Sequence, residues 1–149
     1  MELKNQIEVD LKTALLERDV LRVSTLRGLK SSIKNAEIAK KGELSEDELV
    51  VLLRKEMKQR QESADLYKQG GAQDRADKEL KEKAIIQAYL PPSLSDEEVE
   101  KFINEGIEQA GGLSQQTMGR IIGYVNSQAK GRVDGAQVAA KVREKLTQQ

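Results

Sequence analysis

The sequence predicts an all-α protein: an N-terminal helical hairpin or bundle domain followed by a small three-helix C-terminal domain. Apolar residues recur at helical spacing along the chain, and one helix-start signal occurs at four places. No segment shows the two-residue alternation of β-branched and aromatic residues that is typical of strands. A chain of 149 residues is long enough for one domain or two small ones.

The first two predicted helices begin the N-terminal domain. The first covers residues 2–18, and its apolar residues at helical spacing are Leu3, Ile7, Leu11, Ala14 and Leu15. Asp19 can cap the second, which runs to about Lys41 and is ended by Gly42. Its predicted core face consists of Leu26, Leu29, Ile33 and Ala36. A separate basic stripe on this helix is formed by Arg27, Lys30, Lys34 and Lys41.

The third predicted helix begins with a capping box. Ser45 can accept a hydrogen bond from the amide of Glu48, whose side chain can reach back to the amide of Ser45. Leu44 and Leu49 are spaced as the matching hydrophobic staple. This helix is expected to continue to about Gln69 and to stop at two glycines.

The fourth predicted helix covers residues 73–89 and ends before Pro91-Pro92, because the residue before a proline is pushed out of helical geometry. Its expected buried residues include Leu80, Ala84, Ile85 and Ala88. The diproline is the best domain boundary in the chain. It separates a four-helix domain, residues 1–90, from a three-helix domain, residues 91–149.

Three further helix starts follow the diproline on the same pattern. Ser95 with Glu98 repeats the capping box, whereas Ser114 with Thr117 gives a weaker one. Asp134 with Gln137 is the third start. The last two helices are therefore predicted over residues 115–129 and 135–147.

Composition restricts the classes of function. The chain contains no cysteine and no histidine, which excludes disulfides, thiolate nucleophiles, serine–histidine pairs and ordinary zinc sites. An enzyme is therefore disfavoured, and we expect no cofactor and no bound metal. No apolar run approaches the roughly 18 residues that a membrane span needs, and Met1 is not followed by a signal-peptide core. We therefore expect a cytoplasmic protein without membrane contact.

A net charge of zero conceals local asymmetry. Residues 18–41 carry seven Lys/Arg and two Asp/Glu, for a net charge of +5. Residues 91–112 carry one lysine and six acids, for −5, and residues 113–149 carry six Lys/Arg and two acids, for +4. Such segments can bind an anion locally without general affinity for nucleic acids.

The segment 113–135 contains the strongest functional candidates. On its predicted helix, Gly119, Gly123, Asn126 and Lys130 form one flank beside the apolar face. A glycine inside a helix costs about 1 kcal/mol relative to alanine, so two of them suggest that something approaches the helix closely. That could be a packed helix of the same domain or a nucleic-acid backbone. The RNA-binding candidates are Gly119, Arg120, Gly123, Lys130, Gly131, Arg132 and Lys141.

Two other charged features have simpler explanations. The basic stripe Arg27, Lys30 and Lys34 is a secondary RNA-facing candidate, although a solvated helix face explains it as well. The acidic runs 46–48 and 96–98 each follow a serine N-cap, where the helix dipole already favours negative charge. We assign neither run a catalytic or metal-binding role.

Five stretches together resemble the YqeY-like family, and they occur in the family's order over nearly the whole chain. They are Leu26-Arg27-Gly28-Leu29-Lys30, Lys58-Gln59-Arg60-Gln61-Glu62-Ser63, Tyr89-Leu90-Pro91-Pro92-Ser93-Leu94-Ser95, Met118-Gly119-Arg120 with Gly123, and Lys130-Gly131-Arg132-Val133-Asp134-Gly135. The chain departs from the family pattern at Ala72 and Arg75.

The resemblance implies two helical domains, the second similar to the tail domain of the B subunit of the aspartyl/glutamyl-tRNA amidotransferases. In that enzyme the tail contacts the tRNA body. The implied function is a non-catalytic tRNA- or RNA-binding accessory module related to transamidation of misacylated tRNA. Two alternatives stay open: a protein-interaction module that docks on an amidotransferase or an aminoacyl-tRNA synthetase, and a component of a carbon–nitrogen ligase with glutamine as amido donor. Sequence-specific DNA binding is not expected.

Overall fold

A computed structural model describes residues 2–149, and over this range the chain forms seven α-helices and no strand. The predicted all-α class is therefore confirmed. The helices are α1 (Glu2–Glu17), α2 (Val20–Lys40), α3 (Glu46–Gln69), α4 (Gln73–Gln87), α5 (Asp96–Ala110), α6 (Met118–Ala129) and α7 (Gly135–Thr147). Within the described range, no helix is long and apolar enough to cross a membrane.

Residue contacts divide the chain into two compact units. The first ends at Leu90 and contains α1 to α4, and the second, Pro91–Gln149, contains α5 to α7. Each unit has a hydrophobic core of its own.

The N-terminal unit consists of two antiparallel helix pairs, α1 with α2 and α3 with α4. Its core is formed by Ile7, Leu11, Leu26, Leu29, Ile33, Leu44, Leu49, Leu53 and Ile86. The expected core face of α2 is confirmed, with Ala36 half-buried at its edge. The expected face of α4 is wrong in part: Ala84 and Ala88 are exposed, whereas Ile86 is fully buried.

Polar contacts tie the helices of this unit together. The Arg60 guanidinium lies 3.1 Å from a Glu56 carboxylate oxygen and 3.3 Å from one of Glu82. Gly28 lies beside it: a Cβ built there would be 3.8 Å from an Arg60 nitrogen, an ordinary van der Waals contact. The Tyr89 hydroxyl donates to Asp10 at 2.5 Å, and burial together with this bond raises the pKa of Tyr89.

The helix ends follow the sequence in most places. The capping boxes at Ser45 and Ser95 are confirmed, with both reciprocal hydrogen bonds formed in each. Asp134 caps α7 through the Ala136 amide. The end of α2 differs from expectation, because Lys41 and not Gly42 adopts the left-handed conformation, with φ of 62°.

The C-terminal unit packs α5, α6 and α7 around six buried side chains. These are Val99, Ile103, Ile121, Val125, Val138 and Val142. Helix α6 begins at Met118, three residues later than predicted, because residues 114–117 form a separate turn before it. In that turn the Ser114 amide donates to the Thr117 hydroxyl at 2.9 Å, and this hydroxyl donates to the Gly112 carbonyl at 2.8 Å.

Candidate nucleic-acid interface

The glycine flank of α6 faces away from the core of its unit. Gly119 and Gly123 are exposed, and a Cβ built on either would meet no atom within 4 Å. The buried side of the helix carries Ile121, Val125 and Ala129 instead. The interpretation that these two glycines admit a packed helix of the same domain is therefore wrong. The flank is an open strip of helix backbone.

Close helix packing in this unit is provided by Gly106 of α5, a residue that was not among the predicted site residues. A Cβ at Gly106 would lie 3.2 Å from a Tyr124 ring carbon and 3.3 Å from an Ile121 methyl group. Gly106 follows buried Ile103 by three residues and so lies on the same helix face. That position was the signal that could have identified it.

Two predicted cations border the open strip without being neutralised. Arg120 is exposed and forms no ion pair with any other described residue. Lys130 is exposed, ends α6 in the left-handed conformation with φ of 50°, and is equally free of ion pairs in the described chain. By helical geometry, Lys130 lies on the same side of α6 as Gly119 and Gly123. Gly119, Arg120, Gly123 and Lys130 are called the outer strip below.

Gly131 and Arg132 have structural contacts that the sequence did not reveal. Gly131 is buried, with φ of 78°, so its backbone is not presented to solvent. The Arg132 carbonyl accepts from the Leu94 amide at 2.8 Å, and the Arg132 Nε donates to the Pro92 carbonyl at 2.9 Å. These contacts hold the start of the second unit against the turn after α6. Both residues were predicted to bind RNA, and that role stays a prediction beside these contacts within the chain.

Lys141 lies in an ion pair with α5. Its Nζ is 2.8 Å from the Asp96 carboxylate, and the hydrogen bond lowers the pKa of that carboxyl group below its ordinary value. Lys145 pairs in the same way with Glu100 and donates to Asn104 at 3.2 Å. The basic segment 113–149 and the acidic segment 91–112 thus partly neutralise each other. Lys141 therefore has an acidic partner in its own unit, and its RNA contact stays a prediction.

The secondary stripe lies on α2 in the N-terminal unit. Arg27, Lys30 and Lys34 are all exposed, and Lys30 Nζ is 3.4 Å from a Glu8 carboxylate oxygen. The acidic runs act as the helix-start residues already described. Among residues 2–149, no three Asp or Glu side chains converge closely enough to hold a metal ion.

The departures at Ala72 and Arg75 fall at the start of α4. Ala72 is the N-cap position and makes no side-chain capping bond. The Arg75 guanidinium lies 5.9 Å from the centre of the Tyr67 ring, which is within cation–π range. The arginine therefore packs on an aromatic side chain of α3.

Curated proteins similar to this chain include fungal proteins named "Altered inheritance of mitochondria protein 41, mitochondrial". The one from Vanderwaltozyma polyspora is 38% identical over 112 residues, 70% of this chain and 60% of the relative. The one from Clavispora lusitaniae is 38% identical over 69% of this chain and 64% of the relative. The one from Pyrenophora tritici-repentis is 26% identical over 93% of this chain and 78% of the relative. The chain thus spans less than two thirds of the first two relatives.

These names contradict the expected cytoplasmic location, because relatives at up to 38% identity are named as mitochondrial proteins. The expectation rested on the lack of an apolar N-terminal run. That observation addresses secretory signals and membrane spans only, since mitochondrial targeting segments are amphipathic and not continuously apolar.

A family model described as Yqey-like protein matches residues 4–146. The match takes in all five of the motif stretches, including those that form the outer strip and the Arg60 ion pairs. The chain belongs to the YqeY-like family.

Proposed function

We propose that this protein is a non-catalytic RNA-binding accessory module, with tRNA as the first RNA to test. One observation carries the proposal: two glycines inside α6 lie in open space. Gly123, in the interior of α6, lowers helix stability by about 1 kcal/mol relative to alanine, and Gly119, the second residue of the helix, lowers it by less. Nothing in the unit packs against these glycines. A partner that approaches the helix backbone closely would explain why they are glycines.

The outer strip has the chemistry to contact a phosphate backbone. Arg120 and Lys130 supply positive charge that is not already neutralised, and the two glycines of the outer strip add no side chain that would hold a partner away. Phosphate contacts of this kind are sensitive to salt and depend little on base sequence. Arg132 and Lys141 are secondary contributors at most, since each already binds a neighbour.

The test is tRNA binding by fluorescence anisotropy over a series of salt concentrations. We expect Arg120→Ala and Lys130→Asn each to weaken binding to all tRNA sequences and to lower the salt slope by about one unit. Asparagine is chosen at 130 because it tolerates the left-handed conformation. Lys101→Ala, an exposed lysine of α5, is the matched control and should leave both quantities unchanged.

A second set of variants tests the glycines themselves. Gly119→Leu and Gly123→Leu fill open space, so the unit should fold while the strip becomes blocked. Loss of tRNA affinity in a folded variant supports the proposal. Unchanged affinity in the double variant Arg120→Glu, Lys130→Glu would refute it.

The link to transamidation of misacylated tRNA comes from the family resemblance and is part of the same proposal. It would be tested by asking whether the chain changes amidation of Glu-tRNA by an amidotransferase. Amide formation by the chain alone, with glutamine and ATP, would instead support the ligase alternative and refute a non-catalytic role.

A protein-docking module is the second candidate, favoured by apolar side chains at the α1–α2 turn. Leu16 is 86% exposed and Val20 is 79% exposed, and exposed Leu15 lies beside them. These residues are close together in the chain, and contiguous exposed apolar surface is typical of protein interaction sites. Capture of an amidotransferase or synthetase from nuclease-treated lysate, lost on Leu16→Asp, would favour this candidate.

A further inference from the structure

The exposed face of α6 carries positive charge and no acidic side chain. Its residues are Gly119, Arg120, Gly123, Asn126, Ser127 and, at the end of the helix, Lys130. By helical geometry they cover about a third of the circumference, on the side opposite the buried Ile121 and Val125. Arg120 and Lys130 form no ion pair among residues 2–149. The face is therefore complementary to a partner with separated negative charges.

The same face carries two uncharged hydrogen-bonding groups. The side chains of Asn126 and Ser127 are exposed, and neither forms a hydrogen bond within the part of the chain that the structure describes. The amide and the hydroxyl can each donate and accept. Both residues lie between Arg120 and Lys130 along the helix. A partner that contacts both cations therefore also meets these two groups.

The start of α7 leaves the Asn126 amide accessible. Gly135 is the first residue of that helix, and a Cβ built on it would lie 3.6 Å from Asn126 Nδ2 and 3.7 Å from Oδ1. Gly135 has no positive φ, so the backbone does not require glycine there. A larger side chain would crowd the amide. The Asp134 carboxylate at this edge accepts a hydrogen bond from the Ala136 amide.

The exposed face of α6 offers no aromatic ring to a partner. Tyr124 is the one aromatic residue of this helix, and its hydroxyl donates to Glu105 of α5 at 3.0 Å. Its ring lies against Gly106. Single-stranded RNA is bound largely by stacking of its bases on aromatic side chains. Paired RNA, whose bases are already stacked on one another, does not need such a ring.

We propose that this face binds the minor groove of double-stranded A-form RNA, with Asn126 and Ser127 in contact with ribose 2′-hydroxyl groups. That groove is wide and shallow and displays the 2′-hydroxyls. Arg120 and Lys130 are about 15 Å apart along the helix axis and contact phosphates beside the groove. This inference rests on the RNA-binding proposal and names the form of RNA and the residues that distinguish it from DNA.

Double-stranded DNA fits the face less well. The minor groove of B-form DNA is about 6 Å wide, too narrow for a helix about 10 Å across, and it has no 2′-hydroxyl. The major groove admits a helix, but it is read by side chains that reach the base edges. Gly119 and Gly123 supply no such side chain.

The experiment measures binding of the full chain by fluorescence anisotropy to four probes of one sequence. They are an RNA duplex, the same duplex with 2′-O-methyl groups, a DNA duplex and single-stranded RNA. We expect the unmodified RNA duplex to bind about tenfold more tightly than the other three. Asn126→Ala and Ser127→Ala should each weaken its binding about fivefold and leave the affinity for DNA unchanged.

The matched controls are Asn5→Ala and Ser24→Ala, which change exposed residues of α1 and α2. They should leave the affinity for all four probes unchanged. Alanine has the higher helix propensity at every one of these positions, so the variants should fold.

Four results would overturn this inference. Equal affinity for the RNA duplex and its 2′-O-methyl form, or for RNA and DNA duplexes, would exclude recognition of the 2′-hydroxyls. Tighter binding of the single strand would exclude the minor groove. Equal weakening of RNA and DNA binding by Asn126→Ala would assign this residue to phosphate. After any of these results the RNA-binding proposal would still stand, whereas failure to bind tRNA and all four probes would refute both.

Discussion

Glycines lie on both sides of α6, but their surroundings differ. On the inner side, Gly106 of α5 lets the two helices approach until a Cβ would come within 3.2 Å of Tyr124. On the outer side, Gly119 and Gly123 have no neighbour at all. The inner glycine is explained by the fold of this unit. The outer pair reduces helix stability without any gain in packing.

The difference shows that spacing alone does not identify what approaches a glycine. Gly119 and Gly123 are four residues apart, the spacing expected of a helix crossing, yet no helix crosses them. A single glycine, Gly106, makes the close contact. Stability measurements can separate these two roles, because they predict effects of opposite sign.

The largest effect is expected on the inner side, for Gly106→Leu. The new side chain would collide with Tyr124 and Ile121, and overpacking of this kind costs about 1–3 kcal/mol. A Cβ at 3.2 Å places this collision near the upper end, about 3 kcal/mol, and the gain in helix propensity returns somewhat less than about 1 kcal/mol. We therefore expect the free energy of unfolding of the C-terminal unit to fall by about 2 kcal/mol. Hydrogen exchange of the Ile121 and Val125 amides measures this unit by itself.

The matched control is Gly119→Leu, which makes the same change where there is open space. It should stabilise the unit by somewhat less than about 1 kcal/mol. If the two leucine variants had the same stability, the contrast between the sides of α6 would be wrong.

On the outer side of α6, replacing a glycine with alanine should stabilise the C-terminal unit. Gly123→Ala should raise the free energy of unfolding by about 1 kcal/mol and Gly119→Ala, at the second residue of α6, by less, because neither site has a positive φ or a steric neighbour. Gly111→Ala is the contrasting variant. Gly111 ends α5 with φ of 79°, so alanine there should lower the free energy of unfolding. Exchange rates of the same amides report all three changes. Destabilisation by both outer alanines would mean that the strip is not open.

A smaller loss is expected at the start of α6. Thr117→Val keeps the shape of the side chain and removes the hydroxyl that bonds to the Ser114 amide and the Gly112 carbonyl. We expect a loss of about 1 kcal/mol. Hydrogen exchange at Met118 and Ile121 should report it, with Thr147→Val at the far end of α7 as the control. No change would indicate that these bonds do not hold the turn before α6.

Local interactions explain why the fold class and the capping boxes could be predicted. The box at Ser95 involves residues three apart, so its atoms are brought together by the helix itself. The burial of Ile86 in place of Ala84 depends on where α1 to α3 lie, and no local pattern contains that information. The turn at residues 114–117 satisfies the predicted serine–threonine bonds and yet delays the helix.

In the candidate site, too, local features could be predicted from the sequence and long-range contacts could not. Helical periodicity correctly placed Gly119 and Gly123 outside the core face of α6. The contacts of Arg132 with Pro92 and of Lys141 with Asp96 join residues 40 and 45 positions apart, so composition by segment could not reveal them. A net charge summed over a segment therefore overestimates the charge available for binding.

The smallest effect is expected at Asp96, which forms an ion pair with Lys141. This pair distinguishes Lys141 from Arg120 and Lys130 of the outer strip, which form no ion pair among the described residues. The pKa of Asp96 is lowered in the folded chain, so the pair contributes stability above the ordinary pKa of the carboxyl group. That contribution is lost as the pH falls through the lowered value. Asp96 is almost fully exposed, so the change in stability will be slight.

Carboxyl carbon NMR can measure this pKa directly. Lys141→Met should raise the pKa of Asp96 towards its ordinary value, whereas Lys101→Met should not change it. If tRNA contacts only the outer strip, adding tRNA should also leave the pKa unchanged, because Lys141 stays with Asp96. A rise in this pKa on adding tRNA would show that Lys141 leaves its partner for phosphate, and the interface would then extend beyond α6 to α7.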